Sequence, residues 1–181
     1  KLEFQGFNTV LTVDPKYHYV TPEQVDVINE IPLDSKSVTS SGFITSDTIN
    51  FLNENIIKNI KKHFRLNGSI ALIDLGVGPC VKPISLLPKL TPIYTSIEYV
   101  AIDYSERVLE SAKKSISRYN FSELKPKFIK LDLHSSHENS EELNTNILSD
   151  KRVFLFIGAT YANFEPEAAK KMIMGLLKPG D

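Results

Sequence analysis

Residues 69–78 read SIALIDLGVG, a nearly continuous apolar run that ends in an acid and passes straight into two glycines. A strand buried on both faces has this appearance, because helices cover each side of a parallel sheet. Gly76 and Gly78 allow a sharp backbone turn and leave the approach free of Cβ atoms. In open α/β sheets ligands bind outside the carboxyl ends of the strands, where this loop falls. Taken alone, the loop is equally well a structural turn.

The pattern extends in both directions. Upstream, Ile49, Leu52, Ile56, Ile60 and Phe64 recur at spacings of three and four, which predicts a helix from Ser46 to about Phe64, ended by Asn67 and Gly68. Downstream, Tyr99 to Asp103 (YVAID), Lys127 to Leu131 (KFIKL) and Arg152 to Ile157 (RVFLFI) repeat the buried-strand signature. Helical segments lie between: Val81 to Leu90, with Pro83 and Pro88 as interruptions, and Ser105 to Tyr119, with Ser105 as N-cap. A last one spans Glu165 to Leu177, with Pro166 in its first turn and Ala169, Met172, Ile173 and Leu176 on one face. The polar link from Leu133 to Asp150 is long for a loop and predicts a short helix near Glu141 to Leu148. Strand alternating with helix specifies an α/β, Rossmann-like, doubly wound and mainly parallel sheet. Right-handed crossovers fix its topology.

Residues 46–181 form the ligand-binding domain in this reading. Residues 1–45 form a lead-in on the substrate side, with a helix from Thr21 to about Glu30. Lys178 to Asp181 read as a turn into another strand, so the sheet is expected to be truncated after its fourth strand and following helix.

Bulk properties narrow the class. The net charge of −1 offers no footprint for nucleic acid. One cysteine, Cys80, rules out an internal disulfide and suits a reducing, cytoplasmic compartment. No apolar run approaches the roughly 20 residues of a membrane span, and no signal peptide is evident. The sequence leaves the oligomeric state open.

Three acids and a loop carry the chemistry. Asp74, Gly76 and Gly78 form the turn. Asp103 ends the second strand, where a carboxylate accepts from both hydroxyls of a ribose, or else caps the next helix. Tyr104 packs on an adenine ring or covers the core. Asp132 ends the third strand, where it accepts from an adenine amine or is an ordinary strand-end acid. Leu133 beside it faces the ring or offers its N–H.

A nicotinamide loop would carry a third glycine and a phosphate cradle at the helix N-terminus. Here that position is Val81, and Pro79 and Pro83 remove N–H donors. S-adenosyl-L-methionine (SAM) has no phosphate, and Lys82 can pair with its carboxylate, unless it is a solvated helix residue. The segment Gly158 to Pro166 (GATYANFEP) follows the fourth strand and should border the transferred methyl group, with Gly158 on the cofactor side and Thr160 on the substrate side. Asn163 there holds a polar substrate or caps the next helix. His134 and His137 read as solvated loop histidines rather than metal ligands, and Cys80 as a packing residue.

At this point the sequence resembles the histidine-specific SAM-dependent methyltransferases, a family that includes the histidine Nα-trimethylating enzyme of ergothioneine biosynthesis. The resemblance rests on DLGVG at 74–78, Lys82, AIDYS at 101–105, the Asp132–Leu133 pair and above all FIGATYANFEPEAA at 156–169. Family members carry a phrase close to FLGSTIGNF, then Pro and Glu-Ala, in that place. The resemblance is strong from residue 69 onward and weaker over 16–68. It implies that Gly76, Lys82, Asp103, Asp132 and Leu133 contact SAM and that Asn163 faces an amino-acid substrate. One departure stands out: Phe43 occupies the position of a substrate-binding Tyr in the family and lacks its hydroxyl.

The expected activity is therefore SAM-dependent methyl transfer to a small amine or amino acid, with the α-amine of histidine as one candidate acceptor. The alternative is a SAM- or nucleotide-binding remnant that does not catalyse and serves as a partner domain. No catalytic base and no metal site are assigned.

Overall fold

The computed structural model describes residue 23 and residues 46–78, 81–119, 121–135, 141, 143–157, 161 and 164–181. Its elements run α1 (Ser46–His63), β1 (Ser69–Leu75), α2 (Val81–Leu90), β2 (Ser96–Asp103), α3 (Glu106–Ser117) and β3 (Leu124–Lys130), then a 3₁₀ turn (Leu133–Ser135), β4 (Arg152–Leu155) and α4 (Pro166–Leu176). Residues 143–146 are also helical, as the polar link predicts. The expected helix at Thr21 to Glu30 lies outside the described residues apart from Glu23.

The four strands form one sheet in the order β3-β2-β1-β4, and every pair is parallel. This is the doubly wound α/β sheet expected from the sequence. β1 and β2, the central pair, run in register from Ser69–Ser96 to Leu75–Ile102. One face packs Leu72, Tyr99 and Ala101 against Leu86, Leu87 and Leu90 of α2, Val108 and Ala112 of α3, and Ile60 of α1. The other packs Ile73, Val100 and Ile102 under Leu143, Ile147, Met172 and Leu176. Alternate residues of the same strands thus feed two cores, which is why β1 reads as an unbroken apolar run.

Several details differ from expectation; β4, for one, ends at Leu155 rather than Ile157. β2 begins at Ser96 rather than Tyr99, because its polar start is buried by partners. Glu98 is only 7% exposed. Its carboxylate accepts from Lys127 Nζ (2.5 Å) and from the backbone N–H groups of Leu148 (3.0 Å) and Ser149 (3.1 Å). β3 begins at Leu124 and carries Pro126, which pairs in register with Tyr99. A proline lacks a donor for a second neighbour, and β3 is an edge strand of this sheet, where none is needed. Finally, Pro83 and Pro88 do not interrupt α2, which is continuous from Val81 to Leu90. Pro83 sits in the first turn, whose N–H groups have no intrahelical acceptor in any case.

Two polar links fix the layers. Asn53 of α1 is buried, and its Nδ2 donates to Ser85 Oγ of α2 at 2.8 Å. Arg152, at the start of β4, is buried and forks onto Asp181, donating to Asp181 Oδ1 at 2.8 Å and also to Oδ2. Burial alone would raise the Asp181 carboxyl, but Arg152 and the Lys178 N–H outweigh it and hold it below its ordinary value. Arg152 also donates to Asn144 Oδ1 at 2.6 Å, joining the 143–146 helical turn to the sheet.

Candidate active site

The carboxyl ends of β1 and β2 meet at the glycine loop. Gly76 (φ 70°) and Gly78 (φ 54°) both occupy the left-handed region that favours glycine. The N–H groups of Gly76 and Val77 donate to the Ile102 carbonyl at 2.9 and 3.1 Å, which draws the turn over the end of β2. A Cβ placed on Gly78 would meet nothing within 4 Å. The loop therefore presents bare backbone to open space beside Asp103.

Asp103 is the focus of that space. Its Oδ1 accepts from Ser105 N–H (2.9 Å) and its Oδ2 faces Gly78 N–H (3.5 Å). The helix-cap alternative is resolved by Ser105, which is the N-cap of α3 and accepts from Val108 N–H. Burial raises the Asp103 carboxyl above its ordinary value, and the Asp74 charge adds to the rise; the N–H groups of Ser105, Gly78 and Tyr104 oppose it. A carboxylate desolvated to this degree is an eager acceptor for hydroxyl donors.

Asp74, at the end of β1, is buried beneath the loop. It is 0% exposed, and its Oδ2 accepts from the Tyr99 hydroxyl at 3.3 Å. It supports the loop from beneath. The sequence carried a faint signal for this pairing: Tyr99 lies on the strand beside β1, and its side chain points to the same face as Asp74. Tyr99→Phe is expected to cost about 1–3 kcal/mol, the penalty for depriving a buried acceptor of a donor. Thermal melts of the two proteins check this.

Tyr104 is 40% exposed, so it does not cover the core, and its ring is open at the edge next to Asp103. Asp132 lies two residues past β3, and its Oδ1 accepts from His134 N–H at 2.9 Å. The Leu133 side chain is buried in the second core, so its backbone, not its side chain, is what it can offer a ligand. Leu131 N–H donates to the Asp103 carbonyl at 3.0 Å, which brings the Asp132 turn against the end of β2. The structure thus collects Gly76, Gly78, Asp103, Tyr104 and Asp132 along one edge.

Lys82 lies in the first turn of α2, with its side chain outside the described part. Phe43, Cys80, His137, Gly158, Thr160 and Asn163 lie outside the described residues. The N-cap of α4 is Glu165.

An aromatic cluster that the sequence reading missed borders the same edge. His134 stacks on Phe164 with ring centroids 4.2 Å apart, and Phe156 meets Tyr161 and Phe164 edge-on at 5.4 and 5.6 Å. His134 is exposed, as a solvated loop histidine would be, and its ring also stacks on Phe164. The fragment FIGATYANF held the signal, three aromatics around a strand end, but spacing gave no hint of the partner from β3. Among the described residues no group of three or more His, Cys, Asp or Glu could hold a metal ion, and no helix is long and apolar enough to cross a membrane.

The donor set suits a nucleoside: backbone at Gly78 and a carboxylate for hydroxyls. No curated protein matches the sequence. A family model described as histidine-specific methyltransferase, SAM-dependent, matches residues 44–179, a span that contains all four strands. The chain belongs to this family of SAM-dependent methyltransferases, and S-adenosyl-L-methionine is its cofactor.

Proposed function

We propose that the protein transfers the methyl group of SAM to the nitrogen of a small amine or amino acid, with the α-amine of histidine as the first candidate. The observation that carries this reading is the Asp103 carboxylate, buried and held by backbone N–H groups beside an open, left-handed Gly78. The family match over 44–179 supplies the donor and the histidine candidate.

Each edge residue has a role in this reading. Gly76 and Gly78 let the backbone approach the cofactor, and Asp103 accepts from both ribose hydroxyls. The open ring of Tyr104 covers one face of the adenine. Asp132 accepts from the adenine amine, with the N–H of Leu133 beside it. Lys82 pairs with the amino-acid carboxylate of the cofactor. Asn163, with Thr160 and Phe43, lines the acceptor side, and Gly158 lies at the border between the two. Residues 46–181 bind the donor, and 1–45 contribute to the acceptor side.

The bound cofactor supplies an activated methyl on a sulfonium. The protein's contribution is then mainly alignment, since holding a nucleophile and an electrophile in line lowers the barrier by pre-organisation. The reading assigns no side chain as base. It places the acceptor amine, in its neutral form, against the edge bounded by the post-β4 segment.

Gly78→Ala tests the loop. A side chain at φ 54° is strained by about 1–2 kcal/mol, and its methyl would enter the space a ligand needs. The expected outcome is a modest fall in melting temperature with SAM affinity reduced at least ~10-fold, a loss of about 1.4 kcal/mol.

The activity itself is tested by calorimetric titration with SAM and S-adenosylhomocysteine, then turnover with L-histidine and other small amines. Binding together with methylated L-histidine supports the reading. Binding without methylation of any amine points instead to a non-catalytic partner domain, and absence of binding defeats both.

A further inference from the structure

β3 and β4 are the two edges of the sheet, with β2 and β1 between them. Three strand spacings, roughly 14 Å, separate them. The loops that follow them nevertheless touch, because the chain after β3 crosses the carboxyl edge above the second core, where Leu133 is buried. His134, next in the chain, lays its ring on Phe164 with planes 15° apart. Phe164 is in turn fixed by the edge of Phe156 at the end of β4, and its N–H donates to the Tyr161 carbonyl at 3.2 Å. On the other side the His134 N–H is held by Asp132 Oδ1. A series of contacts thus runs from the Asp132 acid, through His134, to Phe164 and Tyr161.

We propose that His134 is a positioning residue whose stack on Phe164 ties the Asp132 loop to the segment after β4 and sets that segment's place beside the donor edge. The consequence for methyl transfer rests on the proposed reading of Asn163 and its neighbours as the acceptor side. In this proposal His134 takes no part in the chemistry; it acts through its contacts with the Asp132 carboxylate and the Phe164 ring. Its ring supplies a flat face, and any flat apolar ring of similar size can replace it.

The test uses His134→Ala and His134→Phe in the full chain, read first by amide hydrogen exchange without ligand. Opening of the Tyr161–Phe164 turn should speed up about 3- to 10-fold in His134→Ala, the range an aromatic pair contributes. It should return to within about twofold of the parent in His134→Phe, while exchange in β1 and β2 stays constant. The dissociation constant for SAM should move by less than about threefold in both variants, while kcat/KM with L-histidine falls in His134→Ala by the same 3- to 10-fold and recovers in His134→Phe. Unchanged exchange in His134→Ala, acceleration that His134→Phe does not reverse, or acceleration spread evenly over β1 and β2 would overturn the proposal. If the parent fails to methylate L-histidine, the acceptor reading has failed, and the exchange data still decide the tie.

Discussion

Asp103→Ala is expected to lower the affinity for SAM by about 100-fold or more. The estimate follows from the two hydroxyl donors that a ribose offers: hydrogen bonds to a charged group contribute about 1.5–3 kcal/mol each, and about 1.4 kcal/mol is tenfold in affinity. The same residue has an opposite effect on the fold. Its folded pKa is raised, by burial first and by the Asp74 charge second, so the folded state binds the proton more tightly than the unfolded chain does. The stability this confers is fully present below the ordinary value of 3.8 and is lost as pH rises through the raised value. At neutral pH the ionised carboxylate is thus a net cost to folding. Asp103→Asn should melt no lower than the parent at pH 7 while binding SAM at least ~10-fold more weakly, since one strong acceptor is lost. SAM affinity of the parent should decline as pH falls through the raised pKa, and Asp103→Asn should lose that dependence. Calorimetry across a pH series, with parallel thermal melts, measures both.

Glu98→Ala is expected to destabilise the fold by about 3 kcal/mol, the lower end for breaking a buried ion pair, since the Lys127 side chain is 34% exposed. The substitution takes the carboxylate from three donors at once: it strands the N–H groups of Leu148 and Ser149 and leaves the Lys127 ammonium on the Asn146 carbonyl. For a chain of this size such a loss lowers the melting temperature by about 6–12 °C. Lys127→Met should cost less, because Glu98 keeps its two backbone donors. Glu98 stands five residues before Asp103 on β2, about 17 Å along an extended strand, so SAM affinity of the folded variant should stay close to that of the parent. A melt that shifts by less than about 2 °C, or about 0.5–1 kcal/mol, would show that the 148–149 segment is not anchored here.

Glu98 also marks where the sequence stopped being legible. Residues 99–103 read as strand because both faces are apolar, but Ser96 to Glu98 include an acid whose partners come from β3 and from residues 148–149, distant in the chain. The start of β3 at Leu124 was hidden for a related reason: Pro126 is tolerated because β3 is an edge strand, and edge position is a property of the whole sheet. The placement of the proposed donor residues was more legible. Gly76, Gly78, Asp103 and Asp132 fall at strand ends, and strand ends of a parallel sheet converge by topology. The burial of Asp74 was not legible, because an acid at a strand end points either to the edge or to the core, and its bond from the Tyr99 hydroxyl comes from the neighbouring strand. The His134–Phe164 stack was illegible because it depends on how the chain crosses two intervening strands.

The central claim is that SAM lies along the carboxyl edge with its ribose on Asp103. A crystal structure of the protein with S-adenosylhomocysteine tests this most directly. The account predicts both ribose hydroxyls within hydrogen-bonding distance of the Asp103 carboxylate, the adenine amine on Asp132 and bare backbone of Gly78 against the ligand. A ligand bound with Asp103 untouched, or seated away from the glycine loop, would contradict it.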